Sequence, residues 1–208
     1  MPYIATRAEA AIGARAMLDQ LAEQGAHVDA VIIAAFGDPG LGGARELSPV
    51  PVVGMAEAAM LSACMLGRRF SIVSFAQALA PWFREGVEYN GLTGRLASIR
   101  TLDGGFRSIA DVQNEKADLL VELANRAVTE DEADVVILAG GPLAGLASRI
   151  ADRVPVPLVD GVVAAVKQAE ALVALKPRKA TAGTFRRPAP KPSTGLTPAL
   201  ERWISGTQ

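Results

Sequence analysis

Two runs of the sequence constrain its fold more than any other feature: VDAVIIAAFGDPGL (28–41) and ADVVILAGGPLAGLA (133–147). Each is a short apolar stretch opening into a glycine-rich turn, the pattern of a parallel strand buried on both faces. Parallel strands require crossover connections, and α/β sheets place their ligands outside the carboxyl ends of such strands. The residues at the two tips, Ala35 and Gly140, carry no proton-transfer group.

The remaining segments supply the crossovers. Residues 5–24 predict an amphipathic helix with Ile12, Ala16, Met17 and Leu21 on one face, ended near Gly25. A strand over 28–36, a glycine-rich loop over 37–43 and the run PVPVVGM lead to a helix over 56–66. Further strands are predicted at 68–76, 96–102, 134–139 and 156–159, with helices at 78–90, 109–129, 143–153 and 162–175. This β/α alternation predicts an α/β fold with parallel sheet flanked by helices.

From Lys176 to Gly195 the chain has six basic residues, no acidic one and several prolines, and predicts a connection wrapped over the surface. TPALERWI (197–204) then predicts a short helix with Thr197 as N-cap, Pro198 in its first turn, and Leu200, Trp203 and Ile204 available for packing.

A chain of 208 residues, 50% hydrophobic and 21% charged, fits one large domain or two small lobes. A net charge of -1 gives no electrostatic reason to expect nucleic acid or an anionic membrane as partner, which leaves a small molecule or another protein chain. The one cysteine, Cys64, excludes an internal disulfide and cysteine-rich metal sites, and its place in EAAMLSACML predicts a buried structural thiol. No apolar run reaches the roughly 20 residues that span a bilayer, and MPYIATRAEAA lacks a signal-peptide core, so a cytoplasmic location is predicted.

AFGDPGLGGARELSPVPVVGMAEAAM (35–60), LGRRFSIVSF (66–75), DVVILAGGPLAGLA (134–147), VPLVDGVVAAVKQAEALVAL (156–175) and GTFRRPAPKPSTGL (183–196) together resemble the hydantoin (allantoin) racemase branch of the Asp/Glu/hydantoin racemase superfamily. The resemblance implies two pseudo-symmetric lobes with a ligand cleft between them, here 1–54 plus 160–208 as the first and 55–159 as the second. It implies a cofactor-independent, metal-free isomerase of amino-acid metabolism acting at a carbon α to a carbonyl, with one cysteine on each face of the substrate. Inversion needs a base on either side, and a thiolate serves where positive potential lowers its pKa.

The positions matching those cysteines are Ala35 and Gly140. The resemblance also implies a strand–helix–strand unit with an NPN-like turn ahead of a segment like PYIATRAEAA, which here starts at Pro2. The first lobe is therefore expected to be incomplete, lacking two strands beside 28–36. Three explanations stand: a start further upstream, completion by another chain in a homo-oligomer, or a decaying copy.

Phe36, Gly37, Ser74 and Gly141 are the substrate-binding positions this reading assigns, with Gly140 a further source of backbone contacts. Asp38 is either a base or a turn former in Asp-Pro-Gly. Glu57 is either a substrate contact or a first-turn acid, and Ser74 either a hydrogen-bonding group for a carbonyl or a helix cap. Asp160 is read as an N-cap, and His27 as a solvent-facing loop residue. Three functions follow: a racemase, a catalytically inactive ligand-binding or auxiliary-subunit relative, or an isomerase or lyase using Asp38 or a bound water.

Overall fold

The computed structural model describes residues 3–103, 105 and 107–206. Helix α1 (Arg7–Gln24) begins at a capping box, Thr6 Oγ1 accepting from the Glu9 amide at 3.2 Å and Glu9 Oε2 from the Thr6 amide at 2.9 Å. Its packed face is Met17, Leu18 and Leu21. Ile12, expected on that face, is 61% exposed, and Ala16 is exposed too. The stripe lies where the C-terminal half of α1 meets the small core, and Ile12 faces away from it.

Strand β1 (Val31–Ile33) pairs in parallel with β2 (Val52–Gly54), Ile33 opposite Gly54. Between them lies α2 (Leu41–Leu47), which buries Leu41 and Ala44. The strand expected over 28–36 is confined to Val31–Ile33, the loop expected over 37–43 contains the start of α2, and 52–54, where no strand is expected, forms β2. The ladder ends at Ile33 because its partner ends at Gly54, where a helix begins at the next residue. Gly42 and Gly43, poor helix formers, disguise α2.

Helix α3 (Met55–Leu66) carries the chain to a second, fully parallel sheet of order β4-β3-β5-β6. Its strands are β3 (Phe70–Ser74), β4 (Leu96–Thr101), β5 (Val135–Ala139) and β6 (Leu158–Asp160). Every residue of β3 and β5 is buried, which accounts for their unbroken apolar pattern. The crossovers are α4 (Ala80–Tyr89), α5 (Val112–Asp131) and α6 (Leu146–Ile150). The single helix expected over 143–153 is instead α6 between one-turn segments at 141–143 and 151–153, because Gly145 holds a left-handed conformation (φ 84°). Helix α7 (Gly161–Leu175) packs along α3 and against both sheets.

The two sheets share an internal symmetry. The unit β1-α2-β2-α3 matches β5-α6-β6-α7: Ile33 opposite Gly54 corresponds to Leu138 opposite Asp160, and Gly40 (φ 79°) to Gly145 as left-handed N-caps of α2 and α6. Ala35 and Gly140, each two residues beyond the matched strand position, are therefore equivalent. The result is a two-lobed α/β fold.

The C-terminus of α3 is held by Arg95, which donates to Cys64 O at 2.8 Å and Gly67 O at 2.7 Å. Cys64 is half-buried rather than buried, since α3 emerges from the core there and exposes Met65 and Leu66. The basic tail follows the surface as read from its composition. Lys179 Nζ bonds Arg45 O, Arg15 Nη2 donates to Gly195 O at 3.3 Å, and Thr197 Oγ1 donates to Asp19 Oδ1 at 2.8 Å. Thr197 then caps α8 (Pro198–Ser205), which docks on α1 with Leu200 buried and Trp203 packed against the small core.

Candidate functional site

A chamber of about 260 Å³ lies between the tips of β1 and β5. Ala34, Ala35 and Phe36 line it from one side, and Gly140, Gly141 and Pro142 from the other. The two turns approach closely, and a Cβ built on Gly141 would sit 3.7 Å from the Ala34 carbonyl oxygen. Aromatic rings close the chamber: Tyr3 meets Phe75 edge-on at 5.8 Å, and Phe36 meets Phe83 edge-on at 5.0 Å. Among the described residues, Tyr3 supplies the one ionisable side chain in its lining.

Gly140 is shaped by this surround. Its φ of 120° lies in the region that side chains rarely adopt, and a Cβ there would fall 2.8 Å from Phe75 Cε1. The following turn is held by Gln113 on α5, whose Nε2 donates to Pro142 O at 2.9 Å and Ala144 O at 2.8 Å. Gln113 Oε1 in turn accepts from Arg149 Nη1 at 3.1 Å.

Beside this chamber lies a second of about 330 Å³, bounded by Gly37, Asp38, Trp82, Glu85, Tyr89 and Asn90 among others. Trp82 lines both and forms the wall between them. Its indole occupies the space a side chain on Gly37 would need, which explains glycine at that position (φ 139°).

With this geometry in place, comparison with known proteins decides the family. The profile described as Asp/Glu/Hydantoin racemase matches residues 1–169. The chain belongs to the Asp/Glu/hydantoin racemase family. It is 37% identical over 163 residues to a hydantoin racemase of Paenarthrobacter aurescens, covering 78% of this chain and 69% of that protein. An allantoin racemase from Klebsiella pneumoniae superposes with a TM-score of 0.89 at 35% identity, over 97% of this chain and 82% of that one. These two relatives support the hydantoin racemase branch. Arylmalonate decarboxylase shares the fold, with a TM-score of 0.62 at 17% identity over 98% of this chain and 84% of that one, in its Gly74Cys-Cys188Ser mutant.

In this racemase-family chain the sequence-derived positions divide. Ala35, Phe36, Gly140 and Gly141 meet in the chamber between the strand tips, whereas Gly37 and Asp38 face the adjoining one. Ser74 is fully buried and donates its hydroxyl proton to Ala139 O at 2.9 Å, a cross-strand bond that neither of its two readings anticipated.

The backbone of Asp38 closes its own turn, its amide donating to Ala35 O at 2.9 Å and its carbonyl accepting from Leu41 N at 3.1 Å, but its side chain does not bond there. Held at φ 48°, it reaches across to α3 and accepts from the amides of Ala56 at 2.9 Å and Glu57 at 2.8 Å. Burial pushes its pKa up to about 6, against the downward pull of those two amides. Glu57 stands in the first turn of α3 and pairs with Arg45, whose Nη1 lies 2.9 Å from Glu57 Oε1. Asp160 caps α7 through the amides of Val162 and Val163 and also accepts from Gly145 N. His27 is exposed.

Trp82, Phe75 and Gln113 went unmarked in the sequence reading. The pair Trp82–Phe83 in a short polar helix was the available signal for the first, while nothing local marks Gln113.

No helix among the described residues is long and apolar enough to cross a membrane. Nor do those residues contain a group of three or more His, Cys, Asp or Glu able to hold a metal ion.

Proposed function

We propose that the protein binds a small cyclic imide or amide of hydantoin type between the tips of β1 and β5, and that it lacks the two-thiol racemisation implied by its family resemblance. The observation that carries this reading is the lining itself: a methyl group at Ala35 and a hydrogen at Gly140 flank the point where two opposed bases are required. Phe36 and Gly141 supply surface and backbone to the ligand, while Ser74 stiffens the floor through Ala139. No cofactor enters this proposal.

The test pairs two measurements on 5-methylhydantoin or allantoin: the thermal midpoint of the protein with ligand, and exchange of the C5 hydrogen in deuterium oxide followed by NMR. A raised midpoint with exchange no faster than in buffer is the expected result. Absence of any midpoint shift at millimolar ligand would refute binding.

A second reading is favoured by one observation, the Asp38 pKa of about 6, which suits a general base near neutral pH. It makes the protein an isomerase working through Asp38 or a bound water. Exchange well above the buffer rate, lost in Asp38→Asn, would establish it.

We also assign the first lobe to 1–54 plus 160–208 and the second to 55–159, place the protein in the cytoplasm, and infer a homo-oligomer. Among the described residues β1 pairs on one flank only, and Met17, Leu21, Val28, Val31 and Ile32 line a groove of about 300 Å³ nearby. Sedimentation at several concentrations tests the assembly, a concentration-independent monomer being the contrary result.

A further inference from the structure

The chamber under Trp82 differs chemically from the one between the strand tips. The latter is walled by methyl groups, aromatic rings and glycine backbone, whereas the former presents Asp38 and Glu85, with Tyr89 and Asn90 beside them. No basic side chain lines it among the described residues. Phe36 and Gly37, joined by one peptide, face the two chambers respectively, and Trp82 stands where they meet. A ring at the strand tips would thus lie one peptide unit from the carboxylate-lined space, with the Trp82 indole between them.

Both carboxylates are fixed. Asp38 is clamped by the Ala56 and Glu57 amides, and Glu85 accepts from Arg7 Nε at 3.0 and 3.1 Å. Asn90 is fixed as well, its Nδ2 donating to Gly86 O at 2.8 Å, which turns its amide towards the helix that carries Glu85. Arg7 offsets part of the Glu85 charge, and the fixed wall still favours groups that donate hydrogen bonds over groups that bring a negative charge, Asp38 above all.

We propose that this second chamber receives the C5 substituent of the ring ligand and selects it by charge, accepting ureido and ammonium groups and rejecting carboxylates. The inference rests on the binding reading above, and Asp38 and Glu85 are its specificity-determining residues. Trp82 is the partition past which the substituent runs.

Titration calorimetry on the full chain at pH 8, where Asp38 is ionised, tests it with four probes: 5-methylhydantoin, allantoin, 5-(3-aminopropyl)hydantoin and hydantoin-5-acetate. Allantoin and the aminopropyl compound are expected to bind at least about tenfold more tightly than the acetate. In Glu85→Gln, an exposed change that leaves the core untouched, acetate affinity is expected to rise about threefold while that of 5-methylhydantoin stays constant. Trp82 fluorescence, read in a Trp203→Phe background, is expected to respond more to allantoin than to 5-methylhydantoin. If 5-methylhydantoin binds and the acetate binds as tightly as allantoin, or Glu85→Gln moves neither, the charge selection is overturned while the binding reading stands. Failure of 5-methylhydantoin and allantoin alike removes both.

Discussion

The carboxylate of Asp38 fills the space that a side chain on Gly54 would occupy: a Cβ built on Gly54 would fall within the envelope of Asp38 Cγ and Oδ2. The symmetry of the fold gives this contact its meaning. Gly54 corresponds to Asp160, and their backbones agree, with φ -82° and ψ 137° against φ -87° and ψ 123°. At the end of β6 the strand-end residue caps the following helix itself. At the end of β2 the cap is delivered from the loop after β1, 18 residues away.

The equivalence can be tested by moving the cap. Asp38→Ala should destabilise the protein by about 1–2 kcal/mol, the usual loss for an N-cap. Adding Gly54→Asp to that variant should recover part of the loss, while Gly54→Asp alone, with Asp38 in place, should be worse than either. Urea denaturation of the three variants decides it. A double variant no more stable than Asp38→Ala would refute the equivalence.

Stability should also depend on pH through Asp38. Its folded-state pKa of about 6 lies above the ordinary carboxylate value of 3.8, so the folded state binds more protons between those limits. This contribution to stability is present below pH 3.8, declines as pH rises through 6, and is constant above. At about 1.4 kcal/mol per pKa unit the decline is on the order of 2–3 kcal/mol. Denaturation midpoints from pH 4 to 8 should show this slope in the parent and lose it in Asp38→Asn.

Much of the fold was legible because it is local. The unbroken apolar runs of β3 and β5 and the cap at Asp160 are each written within a few adjacent residues. What escaped is non-local or masked by composition. Helix α2 hides behind Gly42 and Gly43, and the extent of β1 is set by where β2 stops. The role of Asp38 depends on amides 18 and 19 residues further along. The same holds for the candidate site. Ala35 and Gly140 were readable from paired motifs, whereas the wall made by Trp82 and the clamp made by Gln113 arise only when helices pack across the strand tips.

Gly140 resists substitution far more than Ala35. Gly140→Cys combines a φ of 120° with a contact to Phe75, and should lose about 2 kcal/mol or more; Ala35→Cys should lie within about 1 kcal/mol of the parent. Adding Phe75→Leu should relieve part of the Gly140→Cys defect, a non-additivity measurable by a double-mutant cycle. Racemisation absent from Ala35→Cys/Gly140→Cys but present once Phe75 is reduced would locate the barrier in the ring.

Loss of Gln113 should loosen the turn after β5. Gln113→Leu leaves the carbonyls of Pro142 and Ala144 without this donor and should destabilise by about 1–3 kcal/mol. The distinguishing readout is ligand affinity. If Gln113 positions the chamber wall, 5-methylhydantoin binding should weaken in this variant, whereas Asn125→Ala, which removes an α5 side chain bonded to Val121 O and Arg153 O away from the turn, should leave affinity unchanged.

The tail is held at its far end by a small number of contacts, so its release should be separable from global unfolding. Leu200 is almost fully buried, Trp203 packs against the small core, and Thr197 both caps α8 and bonds Asp19. Leu200→Ala should lose about 2–5 kcal/mol of docking energy if its site cannot collapse. That is enough to undock α8 and expose Arg186 and Arg187, which already lie on the surface, to a protease able to draw the backbone into extended form. Brief trypsin treatment should therefore cut Leu200→Ala at 186–187 much faster than the parent, with β3 and β5 still protected in hydrogen exchange. Equal cutting rates would mean that the surface contacts of 176–196, among them Lys179 with Arg45, hold the tail without α8.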